Sequence, residues 1–227
     1  MVVIQPELKK ELIEKARKNV FHKLGYHKKK MDPEVEKILK DAFLLVEEHK
    51  VIKPKGIYHI LPVLKAVEGE VETDAGVIKS QKFSLMVKMC HGKRRIVFML
   101  ATIGDEFEKI YHKKKPLSSQ FVFDTVGSEL TETVADILER DWKGRIDNEG
   151  LQSSLRFSPG YCDWDLDGQS IIFNALDGMS IGVSFNNHFV MRPCKSISAI
   201  AVIARSVPIK APCSFCIEKD CRWRRAL

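Results

Sequence analysis

Residues 95–102 read RIVFMLAT, in which every position but the two ends is apolar. The run is far too short to cross a bilayer, which takes about 20 residues. Bounded by the basic cluster at 93–95 and by Gly104, it suits a buried strand. A second run, SISAIAVIA at 196–204, is also strand-like. GIYHILPV at 56–63 reads as a strand, and 64–79 mixes Val and Ile with Gly and Asp as short strands and turns do.

The helical patterns lie around these runs. Leu8, Leu12, Ile13, Ala16, Val20 and Leu24 form one stripe over 7–25, ended by Gly25. Asp32 and Pro33 then give an N-cap and a first-turn proline, and Val35, Ile38, Leu39, Ala42, Phe43 and Val46 follow at helical spacing. Ser80 caps a helix running to Cys90, and 105–114 is acidic at its start and basic at its end, as the helix dipole favours. The longest pattern covers 118–142, with Leu130, Val134, Ile137 and Leu138 as its apolar stripe. Residues 143–168 read as irregular, 169–177 as a short helix and 180–185 as a strand. The expectation is an α+β body over 1–205, helical over about 5–50, followed by a cysteine-rich tail at 206–227.

The 227 residues carry a formal charge of +7 from 37 basic and 30 acidic side chains. Much of the excess sits in short runs at 28–30, 93–95, 113–115 and 224–225, scattered and without interleaved aromatic residues. No nucleic-acid module is recognisable. The opening MVVIQPELKKELIEK has no apolar segment ahead of a cleavage site, so a cytoplasmic location and no membrane anchoring are expected.

The densest chemistry is RFSPGYCDW at 156–164. Arg156 offers a planar fork of donors that can grip a carboxylate. Pro159 and Gly160 mark a turn where a ligand can approach bare backbone. Tyr161 and Trp164 offer aromatic faces, which attract a cation. Together they suit a small zwitterion with a positive centre; a surface turn with packed aromatics is the competing reading.

RFSPGY resembles the arginine-x-x-proline-glycine-tyrosine motif of the activation domain of cobalamin-dependent methionine synthase. SELTETVADILE is similar to that family's long helix, and IGVSFNNHFVMRPCKSISAI to a segment downstream of the motif. FHKLGY at 21–26, ATIGDEFEKI at 101–110, FDTVGSELTE at 123–132 and MRPCKSISAI at 191–200 fit stand-alone versions of the domain, so the resemblance covers about 20–205. It implies a central antiparallel sheet flanked by helices. It also implies binding of S-adenosylmethionine and support for reductive methylation of cob(II)alamin. The cobalamin would sit on a partner, either a corrinoid protein or a methionine synthase lacking its own activation domain, with flavodoxin or ferredoxin as electron donor.

Carried over residue by residue, Arg156 binds the ligand carboxylate and Glu132 its ammonium. Pro159 and Gly160 lie against adenine, and Tyr161 orders the ligand. His188, Met191, Arg192 and Pro193 face the corrinoid. Two departures stand out. Asn186-Asn187 replaces a threonine-glutamate pair, and no tyrosine follows the last strand, which runs to Arg205-Ser206-Val207-Pro208. They motivate a second reading, a non-catalytic scaffold or sensor for a corrinoid methyltransferase.

Of six cysteines, Cys213, Cys216 and Cys221 are spaced C-x2-C-x4-C. Three thiolates are one short of a four-cysteine set for zinc or an iron–sulfur cluster, which Cys194 or Cys162 could complete. An iron–sulfur cluster there would serve as an electron relay. A metal-dependent nucleic-acid protein would account for the charge and the tail but leaves the central motifs unexplained.

Overall fold

The structure, a computed structural model, describes residues 1–26, 30–47, 51–111, 113, 116–211 and 214. In chain order the elements are β1 (Val2–Ile4), α1 (Lys10–Lys23), α2 (Pro33–Glu47), β2 (Lys55–Pro62), β3 (Lys65–Val67), β4 (Glu70–Thr73), β5 (Gly76–Lys79) and α3 (Gln81–Met89). Then follow β6 (Arg95–Thr102), α4 (Glu106–Tyr111), α5 (Leu117–Asp147), β7 (Gln152–Ser153), α6 (Gln169–Ala175), β8 (Ser184–Phe185), β9 (Met191–Arg192) and β10 (Ser196–Ala204).

The main sheet is antiparallel throughout, in the order β1-β2-β6-β10-β7. RIVFMLAT is its middle strand. β6 is paired along its length with β2, from Lys55↔Thr102 to Pro62↔Arg95. On its other edge it pairs with β10, from Ser196↔Thr102 to Ile203↔Arg95. Successive side chains of a strand point to opposite faces, and both faces are covered here. Val97, Met99 and Ala101 enter one apolar cluster with α1, α2 and α5. Ile96, Phe98 and Leu100 enter a second with α3, α6 and the β3–β5 sheet. That is why the strand reads as a continuous apolar run rather than an alternation. The expected α+β architecture, a central antiparallel sheet flanked by helices, is the one observed.

Helix α5 carries the first face. Val122, Val126, Leu130, Val134, Leu138, Trp142 and Ile146 recur every fourth residue and all are buried, a ridge that lies along the sheet. Its approach is close: a Cβ at Gly56 in β2 would collide with the Leu138 side chain. The caps behave as their sequences predict. The Ser80 hydroxyl accepts from the Phe83 N–H at 3.0 Å, and Asp32 accepts from the Glu34 N–H at 2.8 Å.

Three readings change. α5 runs on to Asp147 through the stretch read as irregular, because Trp142 and Ile146 continue the buried ridge. Residues 180–185 are not one strand. Gly178–Ile181 is a 3-10 turn, ended by Gly182 at φ +77°, and only Ser184–Phe185 is strand. β1 escaped notice because it is only three residues long.

Candidate functional site

The segment 154–157 runs beside β10. Ser154 N–H donates to the Val202 carbonyl at 2.9 Å, and Phe157 and Ile200 exchange two backbone hydrogen bonds of 2.8 Å each. Strand alternation then separates neighbours. Phe157 turns into the second cluster, stacked between Phe83 at 5.7 Å and Trp164 at 5.4 Å. Arg156 turns the other way, toward α5.

Arg156 meets three carboxylates there. Glu132, Asp136 and Glu139 follow at i, i+4 and i+7, a spacing that puts them on one side of the helix. Nη2 of Arg156 donates to Asp136 at 2.7 Å and Glu132 at 3.2 Å, and Nε pairs with Glu139 at 3.1 Å. The arginine side chain is only 7% exposed, against 43% for Glu132. Lys15 backs Asp136 at 3.4 Å and Lys143 backs Glu139 at 2.7 Å. Buried Nη1 has no hydrogen-bond partner among the described residues. Arg156 and Glu132 are thus side by side, but the arginine is an ion-paired residue of the fold rather than an open fork. Asp136 and Glu139 were not singled out from sequence, although their spacing from Glu132 on a helical pattern was there to be read.

The turn follows at once. Pro159 is buried, whereas Gly160, Tyr161 and Cys162 are exposed. Gly160 takes φ +83° and donates its N–H to the Trp164 carbonyl at 2.8 Å. Trp164 N–H returns to the Tyr161 carbonyl at 3.1 Å. The aromatic face expected of Trp164 is not offered to a ligand, since its ring is 2% exposed and packs on Phe157. Asp163 anchors the loop at the start of α3, accepting from the Ser80 hydroxyl at 2.9 Å and the Lys82 N–H at 3.0 Å. No local signal marks that role, because its partners lie some 80 residues away.

The corrinoid-facing candidates lie elsewhere along β10. His188 sits at the tip of the β8–β9 hairpin, exposed, and Arg192 is exposed at its end, next to half-buried Met191 and Pro193. The Asn186 side chain builds the tip, accepting from the N–H groups of His188 at 2.9 Å and Val190 at 3.1 Å. This gives the first departure a structural role. Ser196 and Ile200, the β10 residues nearest the two groups, are four positions apart, roughly 13 Å along a strand.

A cleft of about 510 Å³ opens on the hairpin side, lined among others by Lys53, Lys55, Lys109, Glu108, Arg192 and Pro193. None of its lining residues belongs to the 156–161 turn. Glu108 is buried, accepts from the Cys194 N–H at 2.9 Å and pairs with Arg192 at 3.5 Å. Burial first, then the hydrogen bond to Glu108, push the Cys194 thiol above its ordinary range. Cys213, Cys216 and Cys221 lie outside the described residues. Among the described residues Cys162 and Cys194 are exposed and form no disulfide, and no group of three or more His, Cys, Asp or Glu could hold a metal ion. No helix among them is long and apolar enough to cross a membrane.

No family model matches the sequence, and no curated protein matches it. Among solved structures, the crystal structure of the MetH reactivation domain bound to AdoHcy matches with a TM-score of 0.62 at 15% identity. The match covers 88% of this chain and 78% of that one. At that identity the likeness is one of fold, and the fold is the one the sequence motifs imply.

Proposed function

We propose that the protein binds S-adenosylmethionine at the Arg156–Glu132 turn and supports reductive methylation of cob(II)alamin on a partner corrinoid protein. The observation that carries the reading is the juxtaposition of Arg156 with Glu132, directly ahead of the exposed Gly160–Tyr161 turn. It occurs in a fold shared with a domain that was crystallised with AdoHcy. A cation beside an anion is the arrangement an α-amino-acid zwitterion requires.

In this reading Arg156 takes the carboxylate of the methionine moiety and Glu132 its ammonium. The positive φ of Gly160 exposes backbone where adenine lies, and Tyr161 orders the ligand from the rim. The hairpin residues His188, Met191, Arg192 and Pro193 meet the corrinoid carried by the partner. One electron from a low-potential donor such as flavodoxin or ferredoxin, and the methyl cation equivalent of S-adenosylmethionine, convert cob(II)alamin to methylcobalamin. The sulfur–methyl bond breaks, a cobalt–methyl bond forms and S-adenosylhomocysteine leaves. Cys213, Cys216 and Cys221 are proposed to hold zinc or an iron–sulfur cluster, with Cys162 or Cys194 completing the set. Iron, acid-labile sulfide and zinc assayed on anaerobically purified protein decide between them.

The test supplies S-adenosylmethionine with a labelled methyl group to a corrinoid protein under reductant, with and without this protein. Label on cobalamin only when the protein is present supports the proposal. Binding of the corrinoid protein without any methyl transfer favours instead the scaffold or sensor reading.

A further inference from the structure

An arginine grips a carboxylate bidentately through two neighbouring nitrogens, either Nη1 with Nη2 or Nε with Nη2. In this protein Nη2 is taken by Asp136 and Glu132 and Nε by Glu139, while buried Nη1 has no partner among the described residues. Neither nitrogen pair is free, so a ligand carboxylate has to displace something.

The three acids are unequal. Glu139 is 13% exposed and Asp136 makes the shortest contact, 2.7 Å. Glu132 has the longest contact, 3.2 Å, and is the most exposed of the three at 43%. Asp136 and Glu139 are each backed by a lysine, whereas among the described residues Glu132 pairs only with Arg156.

We propose that Glu132 is an exchangeable partner and that Asp136 and Glu139 are positioning residues. The ligand carboxylate takes Nη1 and Nη2 of Arg156 in place of Glu132. The released Glu132 carboxylate takes the ligand ammonium, and Asp136 and Glu139 hold the guanidinium still. One internal ion pair is exchanged for two pairs to the ligand. The site thereby recognises the zwitterion as a unit, because a ligand bearing only the carboxylate expels Glu132 without giving it a partner. The inference rests on the S-adenosylmethionine reading above.

The experiment titrates wild type, Glu132→Gln and Glu139→Leu with S-adenosylmethionine and two analogues. One analogue has hydrogen in place of the α-amino group, and the other lacks the carboxylate. Glu132→Gln should bind S-adenosylmethionine more weakly than wild type. It should bind the deaminated analogue about two- to fivefold more tightly, the scale of one partly exposed ion pair. Glu139→Leu should lower the preference for S-adenosylmethionine over the decarboxylated analogue, and Glu139→Gln, which keeps an acceptor for Nε–H, should restore it. Thermal unfolding checks that each variant is folded, and Glu132→Ala repeats the first arm. Equal affinity of wild type and Glu132→Gln for the deaminated analogue, with S-adenosylmethionine still bound by wild type, overturns the exchange alone. Failure of wild type to bind S-adenosylmethionine overturns both readings.

Discussion

Two segments flank β10, and they are built in opposite ways. The segment 154–164 is anchored by strand pairing, by a Phe83–Phe157–Trp164 stack, by Asp163 at α3 and by the Arg156 ion pairs. The hairpin 184–192 has two short paired strands and a tip tied by one asparagine side chain. The first spends most of its residues, Arg156 among them, on the fold and exposes Gly160 and Tyr161 at its turn. The second leaves His188 and Arg192 exposed, which the proposed contact with a partner requires. A ligand site needs fixed geometry, whereas a docking surface needs access.

Substitutions should separate the two. Trp164→Ala removes a buried aromatic and should cost about 3–5 kcal/mol in urea unfolding. A loss comparable to that of hairpin variants would erase the contrast. Arg156→Ala should cost less, about 1.5–3 kcal/mol, because its partners are partly exposed and can return to water. Gly160→Val places a β-branched residue at φ +83° and should cost about 1–2 kcal/mol, read as a lower melting temperature.

A further α5 carboxylate sharpens the picture through pH. Burial opposes ionisation of Asp141, but hydrogen bonds from Tyr58 at 2.5 Å and Arg145 at 2.9 Å outweigh it and hold its pKa below the ordinary 3.8. A lowered carboxyl pKa contributes stability that is present above the unfolded value and lost as pH falls through the folded one. Asp141→Asn should therefore lower stability at neutral pH and flatten its decline below about pH 4, seen in thermal melts across that range. The smallest effect belongs to the hairpin: His188→Ala should change stability by no more than about 0.5 kcal/mol. A larger loss would show that the tip is held by more than Asn186.

Much of the fold was legible because its signals are local or periodic. Ser80 and Asp32 cap as their spacing predicts, and the two apolar runs are the adjacent central strands β6 and β10. The end of α5 was missed because Lys143, Gly144 and Arg145 and the polar residues at 147–149 mask the continuing ridge at Trp142 and Ile146. The resemblance puts Arg156 and Glu132 on one ligand, but not in an ion pair with each other. That pair and the roles of Asp136, Glu139 and Asp163 each depend on an approach between segments far apart in sequence, which no short window contains. Trp164 stacks on Phe157 within the same short stretch, so for this residue the reading of a turn with packed aromatics holds and that of an open aromatic face does not.

The central claim is that S-adenosylmethionine binds at the Arg156–Glu132 turn. Isothermal titration of S-adenosylmethionine into wild type and into folded Arg156→Ala tests it most directly. The account predicts saturable binding to wild type and its loss in the variant. No binding to wild type, or equal binding to both, would contradict it.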